Sequence, residues 1–111
     1  MERKERITKP RQYAEVYERG RSYPSEFIVL RTLPNNLDYS RYGLSISKKV
    51  GNAVTRNKLK RRLREINRVE SFKPGWDIVF ILRPAAAEVS FSSLKKSVET
   101  LLIKADILEG V

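Results

Sequence analysis

Ile78-Val79-Phe80-Ile81-Leu82 is an unbroken apolar run, bounded by Asp77 and Arg83 and closed by Pro84. A run of this kind, too short for a buried helix, belongs to a strand at the centre of a sheet. The rest of the chain must then supply partners for that strand. From Glu26 to Leu33 the sequence is rich in β-branched and large apolar residues, and Pro34-Asn35-Asn36 follows with turn chemistry. Between Arg41 and Ser47, Tyr42, Leu44 and Ile46 alternate with Gly43, Ser45 and Ser47. That period of two predicts a half-buried strand with bulk on one face and small or polar residues on the other.

Three segments have a helical period instead. Pro10 suits a first turn, Tyr13, Val16 and Tyr17 recur at i, i+3 and i+4, and Gly20 offers a stop, which predicts a helix over Pro10–Arg19. After the Gly51-Asn52 break a second helix runs over Ala53–Arg68. Beyond the alanine-rich link Ala85–Ala87, Ser90 caps a third helix carrying Phe91, Leu94, Val98, Leu101, Leu102 and Ala105. Residues 1 to 9 are charged and read as loose. The expectation is a single α+β domain over residues 1–111, with a small mixed sheet of about four strands packed by helices. The order is helix, strand, strand, helix, strand, helix, with an extra pairing around Tyr23. Hydrophobic residues make up 41% of the chain, enough for one core without covalent staples.

The inventory of reactive groups is short. There is no cysteine and no histidine. Disulfides, zinc–thiolate sites and thiol nucleophiles are excluded, along with the commonest neutral-pH base and transition-metal ligand. The acids are scattered, whereas a protein nuclease needs clustered carboxylates or a histidine base. No apolar stretch reaches bilayer length and no secretory core follows the amino terminus, so a soluble cytoplasmic protein with no membrane partner is expected.

Charge is where the sequence is most lopsided. Lys48 to Arg68 holds nine basic residues and a single acid, Glu65, and so carries +8 of the net +10. On a helical wheel Leu59, Leu63 and Ile66 share one face, while Asn57, Arg61, Arg64 and Arg68 fall opposite at i, i+4, i+7 and i+11, flanked by Lys60. Arg56 lies nearer the apolar edge. Guanidinium forks grip pairs of phosphate oxygens, and Asn57 offers a neutral donor and acceptor within the row. A basic face is often only solvated surface, but like charges so closely spaced repel by a few tenths of a kcal/mol per pair. Binding a polyanion, and nucleic acid in particular, is the simpler account.

Tyr13 and Tyr17 admit two readings, an ordinary core stripe or a stacking platform for unpaired bases. Gly43, Ser45 and Ser47 either face solvent or floor a groove that leaves room for an RNA strand.

The stretch SKKVGNAVTRNKLKRRLRE, Ser47 to Glu65, resembles the signature of the ribonuclease P protein component. It joins a Ser-Lys-Lys strand end, a Gly-Asn-Ala turn and an Arg-Asn-x-x-Lys-Arg-x-x-Arg helix. Weaker agreement runs through almost the whole chain, from the Tyr13/Tyr17 helix onward. The resemblance implies an α+β sandwich-like fold with a left-handed βαβ crossover through the basic helix, against the usual right-handed preference. It implies an accessory subunit whose catalytic RNA partner, not the protein, uses Mg2+ to remove the 5′ leader of precursor tRNA. No catalytic residue, cofactor or metal ligand is then expected on the chain itself. Arg56, Asn57, Lys60, Arg61, Arg64 and Arg68 would meet the catalytic RNA. Tyr13, Tyr17, Arg31, Ser45, Ser47, Lys48 and Lys49 would form or flank the leader cleft. At Arg31 many family members carry an aromatic; the cation here puts a stacking contact in question, and a phosphate contact could replace it. The alternative is a structural RNA-binding protein of the ribosomal type. A DNA-binding module ranks third, because no helix-turn-helix pair is present.

Overall fold

The computed structural model describes residues 4–110. Strand β1 (Lys4–Arg6) precedes α1 (Pro10–Arg19), followed by β2 (Arg21–Pro24), β3 (Ile28–Pro34) and β4 (Ser40–Ser45). Then come α2 (Ala53–Arg68), β5 (Trp76–Leu82), a 3-10 turn at Pro84–Glu88 and α3 (Phe91–Lys104). The apolar run is indeed central: β5 lies between β4 and β3 in a sheet ordered β1-β4-β5-β3-β2. β3 pairs with it antiparallel and β4 parallel, with α2 as the connection between the parallel neighbours.

The sheet is covered on both faces, which is why β5 needs no polar alternation. On one face Ile28, Leu30, Ile78, Phe80 and Leu82 meet Leu59, Leu63 and Ile66 of α2 and Leu94, Val98, Leu101 and Leu102 of α3. On the other, α1 lays Val16 over Val79, with Tyr13, Leu33 and Ile81 around it. Asn52 caps α2 by accepting from the Thr55 N–H at 2.9 Å, and Ser90 caps α3 through the Ser93 N–H at 3.2 Å. At the start of α1 the Gln12 side-chain oxygen accepts from the N–H groups of Thr8 and Lys9. The helix boundaries match the amphipathic periods, because each helix has one wet face.

The strands depart from expectation in four places. The sheet has five strands rather than about four. Part of the segment read as loose is β1, paired parallel with β4. Three charged residues carry no strand signal; the anchor is buried Ile7, whose N–H donates to the Tyr42 carbonyl at 2.8 Å. Residues 1–3 of that segment lie outside the described residues. β3 begins at Ile28 rather than Glu26, since Ser25 closes the β2–β3 turn through both its backbone and its hydroxyl. β4 stops at Ser45, because Ser47 already forms a turn, accepting from the N–H groups of Val50 and Lys49. The pairing around Tyr23 is present as β2 against β3.

One buried polar cluster pins the lower end of the sheet. Arg41 grips Asp77 with two hydrogen bonds of 2.8 and 2.6 Å, and Asn35 donates to the same carboxylate at 2.9 Å. The hydrogen bond to Asp77 raises the Arg41 pKa above its usual value, against a smaller opposing effect of burial. Among the described residues no helix is long and apolar enough to cross a membrane.

Candidate nucleic-acid interface

α2 docks through Leu59, Leu63 and Ile66, and this fixes which way its cations point. Asn57, Arg61, Arg64 and Arg68 are exposed, while Arg56 and Lys60 are half-buried at the flanks of the row. Among the described residues no carboxylate lies within ion-pair distance of any of these cations; ion pairs elsewhere include Arg19–Glu15, Arg41–Asp77 and Lys73–Asp106. Arg61, Arg64, Glu65 and Arg68 line a shallow depression on the outer surface. Arg62 behaves differently from its neighbours. It donates to the Val89 carbonyl at 3.0 Å and so fastens α2 to the linker before α3.

The opposite face of the sheet carries the tyrosines. Tyr13 and Tyr17 stack with ring centroids 6.5 Å apart and planes at 29°. Tyr13 is half-buried and its hydroxyl donates to the Ile7 carbonyl at 3.4 Å, whereas Tyr17 is 41% exposed. The two readings of this stripe therefore divide by residue: Val16 makes the core contact, and Tyr17 stays open. Gly43 is neither a solvent face nor an empty groove floor. It is buried beneath the Tyr13 ring, and a Cβ there would lie 2.6–2.7 Å from ring atoms and the hydroxyl.

Ser45 sits one step further along β4, in register with Ile81, which in turn pairs with Val29. All three are half-buried, so this row offers a small, partly open floor beside the tyrosine stack. Sequence reasoning missed Val29 and Ile81. Only the strand register singles them out, since within an all-apolar run nothing marks one residue as facing a cleft. Exposed Ser47, Lys48 and Lys49 continue from the same strand end toward the start of α2, linking the tyrosine face to the basic helix along the chain.

Arg31 projects from β3 on the tyrosine side, but its donors turn inward. Nε donates to the Val16 carbonyl at 3.2 Å, and Nη2 donates to the carbonyls of Tyr17 and Gly20 at 2.8 Å each. These carbonyls lie at the end of α1, where a cation complements the helix dipole; the Val16 carbonyl also accepts from the Gly20 N–H at 2.8 Å. These bonds give Arg31 a positioning role: it holds the end of the helix that carries the tyrosines.

Comparison with known proteins bears on this arrangement. The sequence profile of the family described as Ribonuclease P matches residues 1–106. The ribonuclease P protein component of Dehalococcoides mccartyi (strain CBDB1) is 48% identical over 108 residues, covering 97% of this chain and 90% of the relative. That of Clostridioides difficile (strain 630) is 40% identical over 104 residues, covering 91% of each. Among solved structures, the Staphylococcus aureus RNase P protein superposes with a TM-score of 0.87 at 34% identity, covering 94% of this chain and 97% of that one. The Thermotoga maritima RNase P protein gives 0.82 at 34% identity, covering 90% and 96%. With profile, relatives and fold in agreement over nearly the full length, the chain belongs to the family of ribonuclease P protein components.

Proposed function

We propose that the chain binds the catalytic RNA of ribonuclease P through the outer face of α2 and holds the single-stranded 5′ leader of precursor tRNA along the tyrosine face. The observation that carries this reading is the exposed row Asn57, Arg61, Arg64 and Arg68, free of intramolecular ion pairs among the described residues. An unpaired guanidinium row retains its donor forks for phosphates. The stacked tyrosines beside the Val29, Ser45 and Ile81 floor support leader binding by stacking, which tolerates any base. Tyr13, Tyr17, Ser45, Ser47, Lys48 and Lys49 would meet the leader, and Arg56, Asn57, Lys60, Arg61, Arg64 and Arg68 the catalytic RNA.

Hydrolysis belongs to the RNA on this reading. Among the described residues no three His, Cys, Asp or Glu side chains gather into a set that could hold a metal ion. On this reading the RNA would hold the Mg2+ of the reaction. The chain instead neutralises phosphate charge and orients the leader. Reconstitution tests the proposal: protein and cognate RNA at low magnesium should cleave precursor tRNA faster than RNA alone, with no cleavage by protein alone. Cleavage by the isolated polypeptide would overturn it. So would tighter binding to ribosomal RNA than to the catalytic RNA, which is what a structural ribosomal-type protein would give.

A further inference from the structure

Away from both surfaces, at the end of the sheet where α3 terminates, a groove of about 480 Å³ opens. That is within the range of ~300–1,000 Å³ typical of small-ligand sites. Its floor is one face of three neighbouring strands. Arg21 and Tyr23 of β2 pair with Thr32 and Leu30 of β3, and Pro34 of β3 pairs with Trp76 of β5. Side chains two apart on a strand share a face, so Arg21, Tyr23, Thr32 and Trp76 all stand on the α3 side of the sheet. The last turn of α3 walls the groove with Lys104 and Asp106, and Arg19 rims it from the end of α1.

Charge and aromaticity coincide here. Arg21 and Lys104 are exposed, and among the described residues neither lies within ion-pair distance of a carboxylate. The acids nearby are engaged elsewhere: Asp106 pairs with Lys73 at 2.7 Å and Glu15 with Arg19 at 3.0 Å. Tyr23 and Trp76 are half-buried, held by the core on one side. A bare anion fits poorly, because the C-terminal end of α3 presents partial negative charge. A group with a flat π-face, amino donors and a separate phosphate fits better. The base can stack on the aromatics and donate toward the helix end, while the phosphate lies between Arg21 and Lys104.

We infer that this groove is a second RNA subsite, which takes one unpaired nucleotide of a single strand on the sheet face opposite the tyrosines. The site needs neither the α2 row nor the tyrosine face, so it stands or falls separately from the proposed function.

Trp76 is the chain's only tryptophan, and its fluorescence reports on this groove directly. A short oligoadenylate at low salt should quench it, and inorganic phosphate at the same concentration should not. The double variant Arg21→Glu, Lys104→Glu changes two exposed side chains and should keep the native circular dichroism while weakening the quenching at least tenfold, as expected when a stacked base loses its phosphate anchor. Quenching should survive in Arg61→Ala, Arg64→Ala. Unchanged emission with the oligonucleotide would overturn the inference. So would equal quenching by phosphate, quenching that survives the charge reversal, or quenching lost in the α2 variant.

Discussion

Gly43 and Tyr13 form a notch and a peg. The ring lies where a side chain at residue 43 would be, so the glycine sets how closely α1 approaches β4. In Gly43→Ala the atoms in the way are the far end of a side chain that can swing aside. Tyr13 should leave its seat and its stack on Tyr17, at a stability cost of about 1 kcal/mol, the low end of overpacking effects. Leader affinity in the assembled complex should then fall about tenfold, while catalytic-RNA affinity holds. Paired titrations with precursor and mature tRNA would show this, and equal losses for both would count against it. Arg31 sets the other end of α1. Arg31→Met removes three charged donors from helix-end carbonyls and should lower stability by about 1.5–3 kcal/mol in urea unfolding. No change in the urea midpoint would mean those hydrogen bonds contribute nothing net.

At the level of elements, α2 shows what a sequence discloses and what it withholds. Its ends, its buried leucines and its outward arginines were legible, because one helix face is apolar and the other charged from end to end. The different fate of Arg62 was not, since its partner Val89 is 27 residues away and belongs to a linker. β1 was illegible for a related reason: its pairing is decided by β4 and by buried Ile7, while Lys4, Glu5 and Arg6 read as solvent-loving. In the tyrosine helix the stripe was legible but its apportioning was not, because Val16, Tyr13 and Tyr17 differ only in where the sheet lies. For α2 itself, Arg61→Ala and Arg64→Ala should each flatten the salt dependence of catalytic-RNA binding by about one unit of log–log slope. Thermal stability should be unchanged or slightly higher, since like-charge repulsion is relieved. An unaltered slope would remove that arginine from the interface.

As a whole the molecule measures 36 × 30 × 22 Å. The basic helix and the tyrosines occupy opposite faces of its sheet, so on the proposed function one small protein would touch two RNA segments about a protein's thickness apart. If roughly five phosphates are neutralised, the intact protein should show a salt slope of about −3.5 to −4.5. Its binding should also be nearly flat between about pH 6 and 8, because no histidine is present to titrate there. Arg41 adds no dependence in that window. Its raised pKa means that its contribution to stability is present below the usual arginine value and is lost only as pH climbs through the higher folded one. A steep pH profile for binding measured at constant salt would point to a titrating group on the RNA side.

The two outermost strands have a further consequence. Among the described residues β1 is three residues long, and β2 ends in Pro24, which has no N–H to offer. A neighbouring copy finds almost no free ladder to extend, and the exposed Glu5, Arg6 and Arg21 discourage its approach. A chain built around a run as sticky as Ile78–Leu82 is thereby kept from growing into fibrils while it awaits its RNA.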